Sequence, residues 1–409
     1  MEGLNNSKRH IVFFNLAPAF GGRENRLIEW LRLVDYSKVR ATIVSRKDVY
    51  SDLLGRYRIP VKVKVTGLDL KFSFKNSYKW FRFIKELKAD EILFMQGWFF
   101  EVPLFLVFIG FIITDGAVSI SEHLAAPSPP VKSSRFHFKV IPGLGLWWYK
   151  QLLLHRWRYF LSKKVIAVSN SVKQRLIEWG CPEQKITVIS HGVDLKLFRP
   201  SEKERFSFRE ISRIPQDAIV IASTARLERV KRLDRLVKAF NFLGDKHPNL
   251  WLIFAGDGFL KEELRQSLKY ENRVLFLGHL SQEDVAKVLK ASDIYVLPSD
   301  NEGFPNALIE AMATGLICIA TNVPGPKDII RHGTNGFLVD PSEKAISSMI
   351  EELLALDLIK KKQIAETAIS SVHENYRMAP AVANVLSILN IPSTCSQDYL
   401  SEPPYLRDC

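Results

Sequence analysis

The chain has 409 residues, 47% hydrophobic and 25% charged, enough for two or three domains with packed cores, which excludes an intrinsically disordered chain. Its cysteines, Cys181, Cys318, Cys395 and Cys409, lack C-x-x-C spacing, so neither a disulfide framework nor a zinc site is indicated and a reducing cytoplasm is expected. Residues 1–190 carry 30 Lys and Arg against 15 Asp and Glu, and the rest 27 against 29; the net charge of +13 therefore arises in the first half, which should face a polyanion, either nucleic acid or a membrane surface.

In chain order, HIVFF follows a basic N-terminus. It is too short for a signal peptide's apolar region and reads as a buried strand. Gly21-Gly22 then lead into a helix beginning ENRLIEWLRL, a turn that can approach a phosphate or sugar closely and that serves equally as a plain strand-to-helix turn. After RATIVS and EILFM, the apolar segment 98–113 contains Glu101 and Pro103 and falls short of the roughly 20 residues that cross a bilayer. It reads as a buried helix, with shallow membrane insertion as the alternative. AVSIS ends in Glu122-His123, a polar pair beyond a buried strand. Residues 135–164 interleave Trp and Tyr with Lys and Arg, which suits the interface of an anionic membrane; the alternative is a charged helix that packs its aromatics into the core.

KVIAVS and ITVIS follow, periodicity lapses over 192–206, and AIVIAST, LWLIFAG, RVLFLG, IYVLPS and LICIAT recur in the second half. Continuous apolar strands alternating with helices predict an α/β fold with two parallel sheets. Two facing sheets would place a ligand in the cleft at their strand ends. Arg226 and Lys231, just beyond AIVIAST, are spaced to clamp a diphosphate, whereas Arg229, Arg232 and Arg235 read as a solvated helix face.

The stretch SDNEGFPNALIEAMATG carries the most chemistry. Gly303 permits a turn, Pro305 suits a first helical position, and Gly315 is a natural stop. A helix between Glu302 and Glu310 would separate them by about 12 Å, beyond the roughly 5 to 9.5 Å of a glycosidase pair. A nucleotide sugar fits instead. Its diphosphate would rest on the N–H groups of Asn306 and Ala307, since Pro305 cannot donate, with Glu302 at the sugar and Glu310 at the ribose. The alternative is a solvated loop acid and an exposed helix acid.

Taken together, these residues resemble the retaining family 4 glycosyltransferases of the GT-B fold, two Rossmann-like domains. The resemblance rests on Glu302 and Glu310 as the E-x7-E signature, with AVSNSVKQRL, HGVDLKLFRP, LIFAGDG, RVLFLGHLS and ATNVPGPKDIIRHGTNGFLV. It implies an acceptor domain over residues 1–195, a donor domain over 196–378, a helix returning to the first domain over 379–391, and a flexible tail over 392–409. It further implies that Arg226 and Lys231 hold the diphosphate, His279 and Leu280 flank the base, Gly21 and Gly22 close over the phosphates, and His123 contacts the sugar near the reacting carbon. Gly303, Phe304 and Pro305 belong to the same donor-binding stretch. Two departures stand out: Ala225 where the family has Gly, and the stiff Pro324-Gly325-Pro326.

The implied reaction is transfer of a hexose or N-acetylhexosamine with retention, from a UDP-sugar or GDP-mannose, without a required cofactor or metal. The acceptor would be a lipid-linked or lipopolysaccharide-type glycan, reached by peripheral attachment of the basic half to the inner face of the cytoplasmic membrane. A nucleotide-sugar epimerase or phosphorylase on the same scaffold is the enzymatic rival. A nucleic-acid-binding protein is the other, though no such motif appears.

Overall fold

A computed structural model of the chain describes residues 8–16, 22–97, 102–123 and 144–394. Contacts divide it into two units, Met1–His191 with Ala379–Cys409, and Gly192–Met378. The first is built on strands β1 (Arg9–Phe14), β2 (Val39–Ser45), β3 (Lys62–Val65), β4 (Glu91–Gln96), β5 (Val118–Glu122), β6 (Lys164–Ala167) and β7 (Ile186–Val188). They form a parallel sheet in the order β3-β2-β1-β4-β5-β6-β7. The second holds β8 (Ile219–Thr224), β9 (Leu250–Ala255), β10 (Val274–Phe276), β11 (Ile294–Leu297), β12 (Ile317–Thr321) and β13 (Phe337–Val339), also parallel, in the order β10-β9-β8-β11-β12-β13. In both, strand order reverses beside the first strand, between β1 and β4 and between β8 and β11. This doubly wound arrangement opens a crevice at the carboxyl ends of those strands.

The central strands are apolar on both faces because helices cover both. Every residue of β4 and β11 is buried, and Leu236, Phe240, Leu252, Phe254, Val296 and Ile319 close the core of the second unit. β3 and β13 were not anticipated. KVKV at β3 alternates with lysine because an edge strand has one open side, and β13 has only three residues. Segment 98–113 contributes the helix Leu104–Ile113, which buries Leu106, Val107, Ile109 and Gly110 but leaves Phe108 and Ile112 exposed. It is buried on one side only; residues 98–101 lie outside the described residues.

The helix Met378–Ile388 buries Val382, Val385 and Leu386. From Ala379 on the chain belongs to the first unit, and beyond the helix Arg9 Nη1 donates to the Asn390 carbonyl at 2.6 Å and the Asp35 amide to that of Pro392 at 2.9 Å. Residues 392–394 are thus fastened, contrary to a tail beginning at 392. Residues 395–409 lie outside the described residues.

Candidate active site

The crevice of the second unit is built from the loops after β8 and β11. They are tied by the Asp300 amide, which donates to the Val230 carbonyl at 2.9 Å. Arg235, on the helix after the β8 loop, grips the β11 loop at two points, donating to the Pro298 carbonyl at 3.0 Å and pairing with Asp300 at 2.7 Å. Arg232 takes a left-handed conformation (φ 49°) and binds Asp234 and Asp300. The sequence reading of Arg232 and Arg235 as a solvated face is therefore corrected: Arg235 is buried, since its guanidinium satisfies loop acceptors. Arg229 is exposed.

This scaffold presents Lys231 to Glu302, Nζ to Oε1 at 2.7 Å. Glu302 is 7% exposed, and its Oε1 also accepts from the buried Ser299 hydroxyl at 2.6 Å. Ser299 is fixed in turn by Thr321 of β12, whose hydroxyl donates to the Ser299 carbonyl at 2.5 Å. From the next loop, Gly325 sits at φ 91° so close that a Cβ there would press on the Glu302 backbone at 3.0 Å. The stiff Pro324-Gly325-Pro326 thus backs Glu302 itself. Arg226 is exposed and pairs with Glu228 at 2.6 Å. Beneath it, Gly256 (φ 140°) lies where any Cβ would collide with the Ala225 carbonyl, and its amide donates to Gly278 at 2.7 Å.

The helix after Glu302 runs Asn306–Ala313, with Pro305 just outside it as the N-cap, one residue later than the sequence reading. Its end is a Schellman turn, with the Gly315 amide donating to Met312 and that of Leu316 to Ala311, both at 3.1 Å. Asn306 and Ala307, first and second in the helix, have amides with no intrahelical carbonyl to reach. The Asn306 Oδ1 is buried without a hydrogen-bond partner. Gly303, Phe304 and Pro305 are buried, and the Phe304 ring packs on Tyr376 at 5.5 Å. Burial pushes the Glu310 carboxyl up to about 7, opposed by a hydrogen bond from Gln282. Gln282 opens the helix Gln282–Lys290, whose N-cap Ser281 follows Leu280 and the exposed His279.

In the first unit, His123 follows β5, donates its amide to the Gln96 carbonyl at 3.0 Å, and shares a hydrogen bond with Ser121 at 3.1 Å. Its ring meets that of His191, beyond β7, edge to face at 5.8 Å. Burial and the nearby Arg26 and His123 hold His191 well below the usual imidazole range. Arg26 is also buried and its guanidinium is lowered to about 9, chiefly by desolvation; it donates to the Ile189 carbonyl at 3.0 Å and stacks on Trp30. Gly22 opens the helix Gly22–Arg32, while Gly21 lies outside the described residues. Among the described residues, no cluster of His, Cys, Asp and Glu is placed to hold a metal ion.

Two family models match this chain, "Glycosyl transferases group 1" over residues 204–371 and "Glycosyltransferase Family 4" over residues 20–197. The chain carries glycosyltransferase domains. It is 30% identical over 260 residues to an uncharacterized glycosyltransferase of Methanocaldococcus jannaschii, covering 60% of this chain and 65% of that one. It is also 30% identical over 213 residues to UDP-Gal:alpha-D-GlcNAc-diphosphoundecaprenol alpha-1,3-galactosyltransferase of Escherichia coli, covering 49% and 54%. The matched region thus spans little more than half to about two thirds of these relatives. The crystal structure of HepE from Anabaena in complex with UDP and glucose superimposes with a TM-score of 0.73 at 22% identity, over 93% of this chain and 99% of that one. The fold is that of GT-B glycosyltransferases.

In this chain the structure brings Lys231, Glu302 and the first turn of the helix Asn306–Ala313 to one crevice, with Arg226 at the adjacent strand end. Gln282, Ser299 and Thr321 escaped sequence reasoning. For Ser299 a signal existed, a hydroxyl two residues beyond the buried strand β11. Gln282 and Thr321 gave none, because their roles come from contacts between elements distant in sequence.

Proposed function

We propose that this chain is a retaining glycosyltransferase that moves a hexose or N-acetylhexosamine from a nucleotide sugar to a lipid-linked or cell-surface glycan at the inner face of the cytoplasmic membrane. The observation that carries the reading is the Lys231–Glu302 pair at 2.7 Å, set at the strand-order reversal and followed at once by a helix N-terminus. A carboxylate for sugar hydroxyls, a cation for phosphate and free amides for the diphosphate then lie in sequence along one crevice.

A UDP-sugar is preferred to GDP-mannose, on the UDP bound by HepE and the UDP-Gal named for the Escherichia coli relative. That relative's diphosphoundecaprenol-linked substrate, together with the basic first unit, supports the membrane-linked acceptor. Glu302 orients the sugar, Glu310 accepts from the ribose hydroxyls, and the loop at His279 and Leu280 borders the base. Arg226 and Lys231 stabilise the charge that develops on the departing phosphate. The Lys231 ammonium has three donors, so it can keep Glu302 while it takes a phosphate oxygen. By the family resemblance, His123 is assigned to the transferred sugar near the reacting carbon and the turn at Gly21 and Gly22 to the diphosphate.

In the proposed front-face displacement, the bond from the anomeric carbon to the β-phosphate oxygen breaks as the acceptor oxygen bonds to that carbon from the same face. The acceptor proton passes to the departing phosphate. Glu302→Ala should lower transfer by about a hundredfold or more, the scale of losing a charged transition-state contact, with an unchanged melting temperature. Near-normal turnover would remove Glu302 from this role. Incubation with a UDP-sugar and no acceptor should give only slow hydrolysis; a new nucleotide sugar would establish an epimerase instead.

A further inference from the structure

The helices Phe74–Leu87, Leu104–Ile113 and Leu144–Leu161 pack side by side in the first unit. A helix that is apolar all round is ordinarily buried. Leu104–Ile113 has no charged residue, yet Phe108 is 51% and Ile112 54% exposed. Its two neighbours add exposed aromatics of their own. Phe72 bridges Phe74, which is 89% exposed, and Phe105, with ring centroids 6.1 and 5.8 Å apart. On the other side Trp157, 56% exposed, stacks edge to face on Phe160 at 5.7 Å, while His155, Arg158 and Tyr159 of the same helix turn inward. Cations outnumber acids at the border, where Asp69, Glu86 and Asp115 are exposed acids. Lys75, Lys79, Arg82 and Lys85 are exposed along the first helix, with Lys71 exposed just before it and Glu86 the sole acid within it, and Arg156 and Lys163 border the third.

An apolar centre flanked by cations complements an anionic bilayer, where aromatic rings enter the headgroup layer and each nearby Lys or Arg adds attraction. A ten-residue helix rises only about 15 Å. It lies along such a surface and cannot cross it. Among the described residues, no helix is long and apolar enough to cross a membrane.

We propose that this outer face docks the first unit onto an anionic lipid bilayer, with Phe74, Phe108, Ile112 and Trp157 entering the headgroup region and the flanking cations contacting lipid phosphates. The inference rests on the membrane-linked acceptor proposed above and assigns the contact to a surface other than the strand ends of the crevice. The test is sedimentation with vesicles of phosphatidylcholine alone and of phosphatidylcholine with phosphatidylglycerol. The wild type should bind the anionic vesicles. The triple variant Phe74→Gln, Phe108→Gln, Ile112→Gln should bind about ten- to hundredfold more weakly, the scale of losing three partly inserted apolar side chains.

Phe242→Gln, at an equally exposed aromatic of the second unit (58% exposed), should bind like the wild type. Acceptor-independent hydrolysis of a UDP-sugar should be the same in all three proteins, which checks the fold. Brominated acyl chains should quench fluorescence in the wild type and less in Trp157→Phe. If the wild type ignores anionic vesicles, the membrane-linked acceptor falls and this inference with it. If the wild type binds and the triple variant binds equally, the docking face is wrong and the acceptor reading stands. If the triple variant instead converts a dimer to a monomer with vesicle binding unchanged, the face joins two copies of this chain and the proposal is overturned.

Discussion

Ser299 shows how a residue with no conspicuous chemistry can govern one that has it. Its hydroxyl holds one oxygen of Glu302 at 2.6 Å from a fully buried position, and a hydrogen bond to a charged group contributes about 1.5 to 3 kcal/mol. Ser299→Ala should therefore reduce kcat by about tenfold or more with little change in donor KM, because Glu302 keeps Lys231 but loses its fixed rotamer; a wild-type kcat would make the bond incidental. Glu310 supplies a pH dependence. With its carboxyl at about 7 in the folded chain against an ordinary 4.5, the folded state favours the protonated acid. This contribution to stability is complete below the ordinary value and disappears as pH rises through about 7. A ribose diol donates best to the ionised form. UDP-sugar affinity should accordingly rise with pH across the neutral range, as read by calorimetry, and Glu310→Gln should flatten the rise.

At the scale of elements, sequence patterns announced the apolar strands, the edge strands β7 and β10 included, and missed the other two edge strands, β3 and β13. HIVFF, EILFM and IYVLPS announce themselves because covering helices demand apolar side chains on both faces. KVKV does not, because its edge position tolerates lysines, and FLV is too short to show a period. The polar strand-end loops were legible for the same reason, as abrupt breaks after apolar runs. Arg235 was misread because burial of an arginine depends on the Asp300 and Pro298 acceptors, which lie 63 and more residues away. Gly256 is a different case, where one missing Cβ lets three strand ends converge. Gly256→Ala should destabilise the second unit by about 3 kcal/mol, lowering its melting temperature by roughly 10 °C. A shift within error would mean that the Ala225 carbonyl can move aside.

For the whole molecule, charge and connectivity divide along the same line. The excess of cations belongs to the first unit, and the second is close to neutral, so lipid binding should weaken with salt while UDP-sugar binding by the second unit changes less. Connectivity makes a sharper claim. The first unit is discontinuous, whereas the second is one uninterrupted stretch, Gly192–Met378. A chain ended after Met378 should keep a protease-resistant second unit and lose protection of the first; equal protection of both would show that residues 379–394 are dispensable.

The clasp of Arg9 on Asn390 and of Asp35 on Pro392 also sets an order for synthesis. As the chain leaves the ribosome, the strands of the first unit emerge early, yet their closing segment appears only after the second unit has emerged. The part made first is completed last, and in the interval the surface later covered by Val382, Val385 and Leu386 stays open to chaperones or to aggregation.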